Sequence, residues 1–210
     1  MVTGTNFMPD QAYRALVYDC NLSNDNLTGV KDPVLNCKYA PGAVPIKSMA
    51  DAVEGLRKKA RDENIPYYDA VTFSGHGAPS FQSVGSGNDP KGRYFKGKDL
   101  LADNLEDIAK EIDALRSLMY QPANSNGRCP ILFLGGCKVG EHGLPDFVEK
   151  QRKEKKIKDD SPNGAPLLKQ LSQKMRNVCI IASTMEIAPL RNKDHHKNEV
   201  ELIAAENGKT

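Results

Sequence analysis

The stretch CPILFLGG, residues 129–136, holds four consecutive large apolar residues, Ile131 to Leu134, and stops at two glycines. A run this short and apolar at every position predicts a strand covered on both faces, the habit of parallel sheets. Three more stretches read the same way: RALVYDC (14–20), YDAVTFSG (68–75) and NVCIIAST (177–184). Between them, apolar residues recur at helical spacing. SMADAVEGLRKKARDE (48–63) sets Met49, Ala52, Val53, Leu56 and Ala60 on one face, with Ser48 placed as an N-cap and Asp51 in the first turn. DLLADNLEDIAKEIDALRSLM (99–119) carries a stripe of Leu101, Leu105, Ile108, Ile112, Leu115 and Met119, and a third helix spans about 165–176. Strands alternating with helices predict an α/β fold with a mostly parallel sheet. Residues 21–47, rich in Asn, Asp, Gly and Pro, read as loop with a short strand near Val34–Tyr39. The glycine-rich segment 78–97 reads as a loop with a short hairpin, and the tail from Asn198 as a final strand or helix.

Composition narrows the function classes. The 210 residues suit a single domain, 1–210, with its core in about 14–184. With 39% hydrophobic and 27% charged residues, a packed core is expected rather than disorder. A net charge of +2 is too balanced to argue for nucleic acid. No window approaches the roughly 18 apolar residues of a membrane span, so no membrane partner is expected. The opening MVTGTNFMPDQAYR lacks a basic segment followed by an apolar one, which implies a cytoplasmic protein, export without a conventional signal, or a piece of a longer chain. Five cysteines without Cys-x-x-Cys spacing read as reduced thiols rather than a disulfide framework or zinc site.

Two of the strands end on chemistry. VTFSGHG sets His76 between Gly75 and Gly77, and ILFLGGC sets Cys137 behind Gly135 and Gly136. In parallel sheets reactive groups collect at the carboxyl ends of strands. Alone, Cys137 reads equally as a small buried hydrophobe, and His76 as a turn histidine bonded to backbone. Together on neighbouring strands they form the minimum set for nucleophilic catalysis, a thiol and an imidazole that activates it. Gly77 and Gly136 let backbone approach a substrate, and the N–H groups of Gly77 and Cys137 are candidate oxyanion-hole donors. His142 could join His76 and Cys137 as a metal ligand, but the spacing of a metal site is missing.

The order TFSGHG, then ILFLGGC, resembles the caspase-like (clan CD) cysteine peptidases, over about residues 14–184. CKVGEHG, GAPLLKQLSQKM and VCIIAST are most similar to bacterial, toxin-type members. The resemblance implies a three-layer α/β/α sandwich and a cysteine endopeptidase acting on a protein or peptide. In it His76 is the base or acid, Cys137 the nucleophile, and Gly77 and Cys137 the oxyanion-hole amides, with no metal or cofactor. The basic run EKQRKEKKIKDD (149–160) stands where caspases carry the linker cut on activation. It is therefore expected to be a self-processing site or the contact for an anionic or protein activator, with a solvated face as the plainer reading. Caspases have Gln-Ala-Cys and legumains Glu-Ala-Cys before the thiol, whereas this chain has Gly135-Gly136-Cys137, so the specificity pocket must be built elsewhere. Asp19, facing that pocket, would favour a basic residue, and Phe81 and Phe95 either line it or anchor their loop. Two other readings remain: a catalytically silent caspase-like module that binds a protein, and a small-molecule amide hydrolase or acyltransferase using the same pair.

Overall fold

The structure is a computed structural model, and it describes residues 13–19, 42–85, 99–101, 104–120, 129–141, 167–184 and 202–205. Among the described residues six strands form the main sheet: β1 (Arg14–Asp19), β2 (Val44–Ile46), β3 (Ala70–Ser74), β7 (Ile131–Leu134), β8 (Cys179–Ser183) and β9 (Leu202–Ala205). Their spatial order is β2-β1-β3-β7-β8-β9, and only the β8–β9 pair is antiparallel. A smaller antiparallel sheet joins β4 (Gly77–Ala78), β5 (Phe81–Gln82) and β6 (Leu100–Leu101). Three helices complete the described elements: α1 (Met49–Asp62), α2 (Ala109–Met119) and α3 (Leu167–Lys174).

Register explains the core. Ala15, Val71, Leu132 and Ile180 lie side by side across four parallel strands, and Val17, Phe73, Leu134 and Ala182 form the next row. All eight are buried in one cluster with Met49, Leu56, Ile112, Leu115, Leu168 and Leu171 from the helices. Each large side chain fully buried there contributes roughly 1.5–3 kcal/mol. The connections β2→β3, β3→β7 and β7→β8 all step in one direction along the sheet, so right-handed crossovers put their helices on one face. Accordingly α1 packs on α2 and α2 on α3. The other face is only half-buried at Leu16, Thr72, Phe133 and Ile181, and Ile131 is 39% exposed. Burial thus alternates along strands whose composition predicted cover on both sides.

The α/β class and mostly parallel sheet agree with the sequence, and the differences have local causes. Val44–Ile46 is a strand although the sequence read it as loop. Proline is tolerated there because β2 is an edge strand, with Pro45 exposed. The helix expected from residue 99 begins only at Ala109. Leu100 and Leu101 instead pair with β5, and the Asn104 side chain donates to the Asp99 carbonyl at 2.7 Å, which turns the chain before the helix starts. The tail forms a strand, β9, against β8. The expected strand at 34–39 lies outside the described residues. Among the described residues no helix is long and apolar enough to cross a membrane.

Helix α1 starts as its sequence predicts. Ser48 Oγ accepts from the Asp51 N–H at 3.1 Å, and Asp51 Oδ2 accepts from the Lys47 N–H at 3.0 Å. Its inner face is tied down by Tyr68, fully buried, whose hydroxyl donates to the Leu56 carbonyl at 2.8 Å. Burial, and secondarily the charge of Glu63, pushes the Tyr68 phenol up to about 12 from 10.0. Because the folded state holds this proton more tightly, its contribution is complete below pH 10 and is lost as pH rises from about 10 toward 12. Urea midpoints measured across that window are expected to fall less steeply for Tyr68→Phe than for the unaltered protein.

Candidate functional site

The parallel ladder between β3 and β7 continues past the strands, with the Gly135 N–H donating to the Phe73 carbonyl at 2.8 Å. The chain segments that follow therefore leave the sheet side by side at its carboxyl rim. After β3 comes Gly75-His76-Gly77, and after β7 comes Gly136-Cys137. The two touch. An ideal Cβ on Gly77 would lie 2.4 Å from the Cys137 carbonyl oxygen and 2.6 Å from its nitrogen. One on Gly136 would lie 2.7 Å from the Gly77 Cα. Neither position holds any residue but glycine at this separation. His76 and Cys137 are both half-buried, with the Nε2 edge of the imidazole turned inward.

The His76 segment is held by a hairpin. β4 and β5 pair through Ala78 and Phe81, linked by Pro79 and Ser80. Proline suits the first turn position, and Ser80 takes the second with φ 56°, the positive value of a type II turn. The Ser83 N–H donates to the His76 carbonyl at 2.8 Å, which marks His76 and Ser83 as a hydrogen-bonded pair of the ladder. Gly77 and Gln82, one step nearer the turn, occupy the non-hydrogen-bonded site. The Gly77 N–H is consequently directed away from β5, out of the hairpin ladder.

The Cys137 segment turns sharply. Lys138 has φ 58°, a left-handed conformation that costs a lysine about 1–2 kcal/mol. The turn is anchored by the Gly140 N–H on the Ser183 carbonyl at 2.9 Å, and by the Ser80 N–H on the Val139 carbonyl at 3.3 Å. Backbone strain of this kind gathers at functional sites. Between the two segments sits Gln82, fully buried. Its Oε1 accepts from the Gly136 N–H at 2.9 Å and its Nε2 donates to the Ser83 carbonyl at 3.0 Å.

Of the other residues singled out by sequence, Asp19 ends β1 on the same rim, with no exposure to solvent. Its Oδ2 accepts from the Ser83 hydroxyl and from the Gly85 N–H, the latter at 2.8 Å. On the far side of the same strip, Asp99, also buried, accepts from the Val84 N–H at 2.8 Å. The two carboxylates thus clamp Ser83-Val84-Gly85 across the strand ends. Phe81 is 7% exposed and lies on β5 of the hairpin. Cys129, Cys137 and Cys179 form no disulfide. Cys20, Cys37, Phe95, His142 and the basic run 149–160 lie outside the described residues. A separate cleft of about 450 Å³, lined by Arg14, Lys59 and Thr72, opens toward the other end of β1.

Sequence reasoning brought His76, Gly77 and Cys137 to one rim, and the structure places the Gly77 backbone against that of Gly136 and Cys137. It overlooked Gln82, Ser83 and Asp99. The available signal was weak: a polar pair, Gln82-Ser83, inside an otherwise apolar hairpin strand. Comparison with protein-family models, with curated proteins and with solved structures returns no match.

Proposed function

We propose that this protein is a cysteine endopeptidase of caspase-like architecture. His76 is the general base and acid, and Cys137 the nucleophile. The observation that carries the reading is the contact of Gly77 with the Gly136–Cys137 peptide, because it joins the two strand ends that bear the imidazole and the thiol. The parallel β3–β7 pair and the crossover helix between them are the arrangement that the resemblance to the clan implies.

The chemistry follows from the parts. His76 takes the Cys137 proton, and the thiolate attacks the carbonyl carbon of the scissile peptide. The N–H groups of Gly77 and Cys137 receive the developing oxyanion, the Gly77 N–H being turned out of the hairpin ladder. Collapse of the tetrahedral intermediate breaks the C–N bond, and His76 returns its proton to the leaving amine. Water then attacks the thioester carbonyl, with His76 as base, and the second product leaves as a carboxylate while Cys137 regains its proton.

The test is incubation with a positional-scanning peptide library beside the Cys137→Ala and His76→Ala variants, with mass spectrometry of peptides and intact chain. Cleavage is expected in the unaltered protein alone, and the library reads the preferred residue before the cut. The basic preference that the sequence suggested for Asp19 is not expected, because that carboxylate is fully buried and taken up by the Ser83 hydroxyl and the Gly85 N–H. The intact mass reports whether the 149–160 run is processed. Cleavage that survives in Cys137→Ala would sink the assignment. Turnover of small amides but of no peptide would favour the amide hydrolase or acyltransferase instead.

A further inference from the structure

We infer that Gln82 is the positioning residue that sets Cys137 in register with His76, an inference that rests on the peptidase reading. A continuous hydrogen-bonded path joins the two segments through it. The His76 carbonyl accepts from the Ser83 N–H at 2.8 Å. The Ser83 carbonyl accepts from Gln82 Nε2 at 3.0 Å, and Gln82 Oε1 accepts from the Gly136 N–H at 2.9 Å. Each link is a short-range bond, yet Gln82 and Gly136 are 54 residues apart in sequence.

The amide is used in both senses, one end donating and the other accepting. A flip would set donor against donor and acceptor against acceptor, so the orientation of the side chain is defined. Its surroundings leave no slack. An ideal Cβ on Gly75 would lie 2.5 Å from the Ser83 carbonyl oxygen and 3.0 Å from Gln82 Nε2. One on Gly136 would lie 2.9 Å from Gln82 Oε1. Glycines on both sides of one buried amide let two backbones close on it. The Gly136 N–H that it holds belongs to the peptide just before the Gly136–Cys137 peptide. Gln82 therefore acts on the thiol through the backbone, and it is a positioning rather than a catalytic residue.

Two variants separate this role from a merely structural one. Gln82→Glu keeps the shape and the acceptor for Gly136 but loses the donor to Ser83. Gln82→Leu loses both. Three readouts are compared: kcat and KM on a cleaved peptide, the melting temperature, and the rate at which iodoacetamide labels Cys137 relative to Cys179 in the same molecule. In folded Gln82→Leu, kcat is expected to fall about 10–100-fold, the scale of a misplacement near 1 Å, while KM stays within about two-fold. Cys137 labelling is expected to slow against Cys179 by about 10-fold, with Gln82→Glu intermediate on both readouts. A folded Gln82→Leu with unaltered kcat and labelling ratio overturns the inference. If that variant does not fold, an unaltered kcat in Gln82→Glu does so. Failure of the peptidase reading shows elsewhere, as an unaltered protein with neither peptide turnover nor selective labelling of Cys137, and it removes the inference with it.

Discussion

Gly77→Ala is expected to lower peptide turnover by about 10²-fold or more in a protein that still folds. The three atoms its methyl group would meet, at 2.4–2.6 Å, are the oxygen and nitrogen of Cys137 and the carbonyl carbon of Gly136. All three are backbone, so none can swing aside as a side-chain tip would. The hairpin must lift from the Cys137 segment, which moves His76 away from the thiol and displaces the proposed oxyanion donors together. Overpacking of this kind costs about 1–3 kcal/mol of stability, against the roughly 5–15 kcal/mol that holds a domain folded, so the variant remains mostly folded. A 10²-fold loss corresponds to about 2.7 kcal/mol, so kcat/KM is measured well below the melting temperature, where the variant is folded, and both are read on the same preparation. Full activity in Gly77→Ala would mean that the contact between the two segments has no part in turnover.

Gly85→Ala is expected to have the largest effect on stability, about 3 kcal/mol or more. Two costs combine there. Gly85 has φ 144°, a backbone conformation that L-residues rarely adopt. An added Cβ would also lie 1.9 Å from the Lys47 carbonyl oxygen, which is fixed by the start of helix α1. The substitution must also disturb the Gly85 N–H bond to Asp19. For a chain of this length the melting temperature should drop by about 6 °C or more. A change within about 2 °C would show that the 83–85 strip rearranges cheaply, and that the clamp of Asp19 and Asp99 does not bear on stability.

How far the sequence could be read varies with how local each signal is. Helix α1 begins and ends within a residue or so of its expected bounds because its cap, its acidic first turn and its apolar spacing all lie inside one 16-residue window, 48–63. The helix expected at 99–119 lost its first ten residues because Leu100 and Leu101, apolar and well spaced for a helix, found a strand partner in Phe81 and Gln82. Pairing with a remote segment overrode a local preference. Residues Val44–Ile46 hid in a loop-like composition, and their strand exists only because β1 offers it an edge. Burial showed the same limit. The strands are apolar on both faces in sequence, yet the layer of helices lies on one face among the described residues.

By itself the sequence determined four of the five strands that pair in parallel, the three helices apart from the start of the second, and the two glycine-flanked ends that carry His76 and Cys137. Apolar runs, helical spacing and turn residues are properties of a few adjacent positions, so they can be read without knowing what lies opposite. Only the tertiary structure decided that β3 pairs directly with β7, that Gly77 rests on the Gly136–Cys137 peptide, and that Asp19, Gln82 and Asp99 are braces. A buried polar side chain has no meaning until its partner is known. Those partners stand as many as 66 residues away, for Gly85 and Asp19, where only the folded chain brings donor to acceptor.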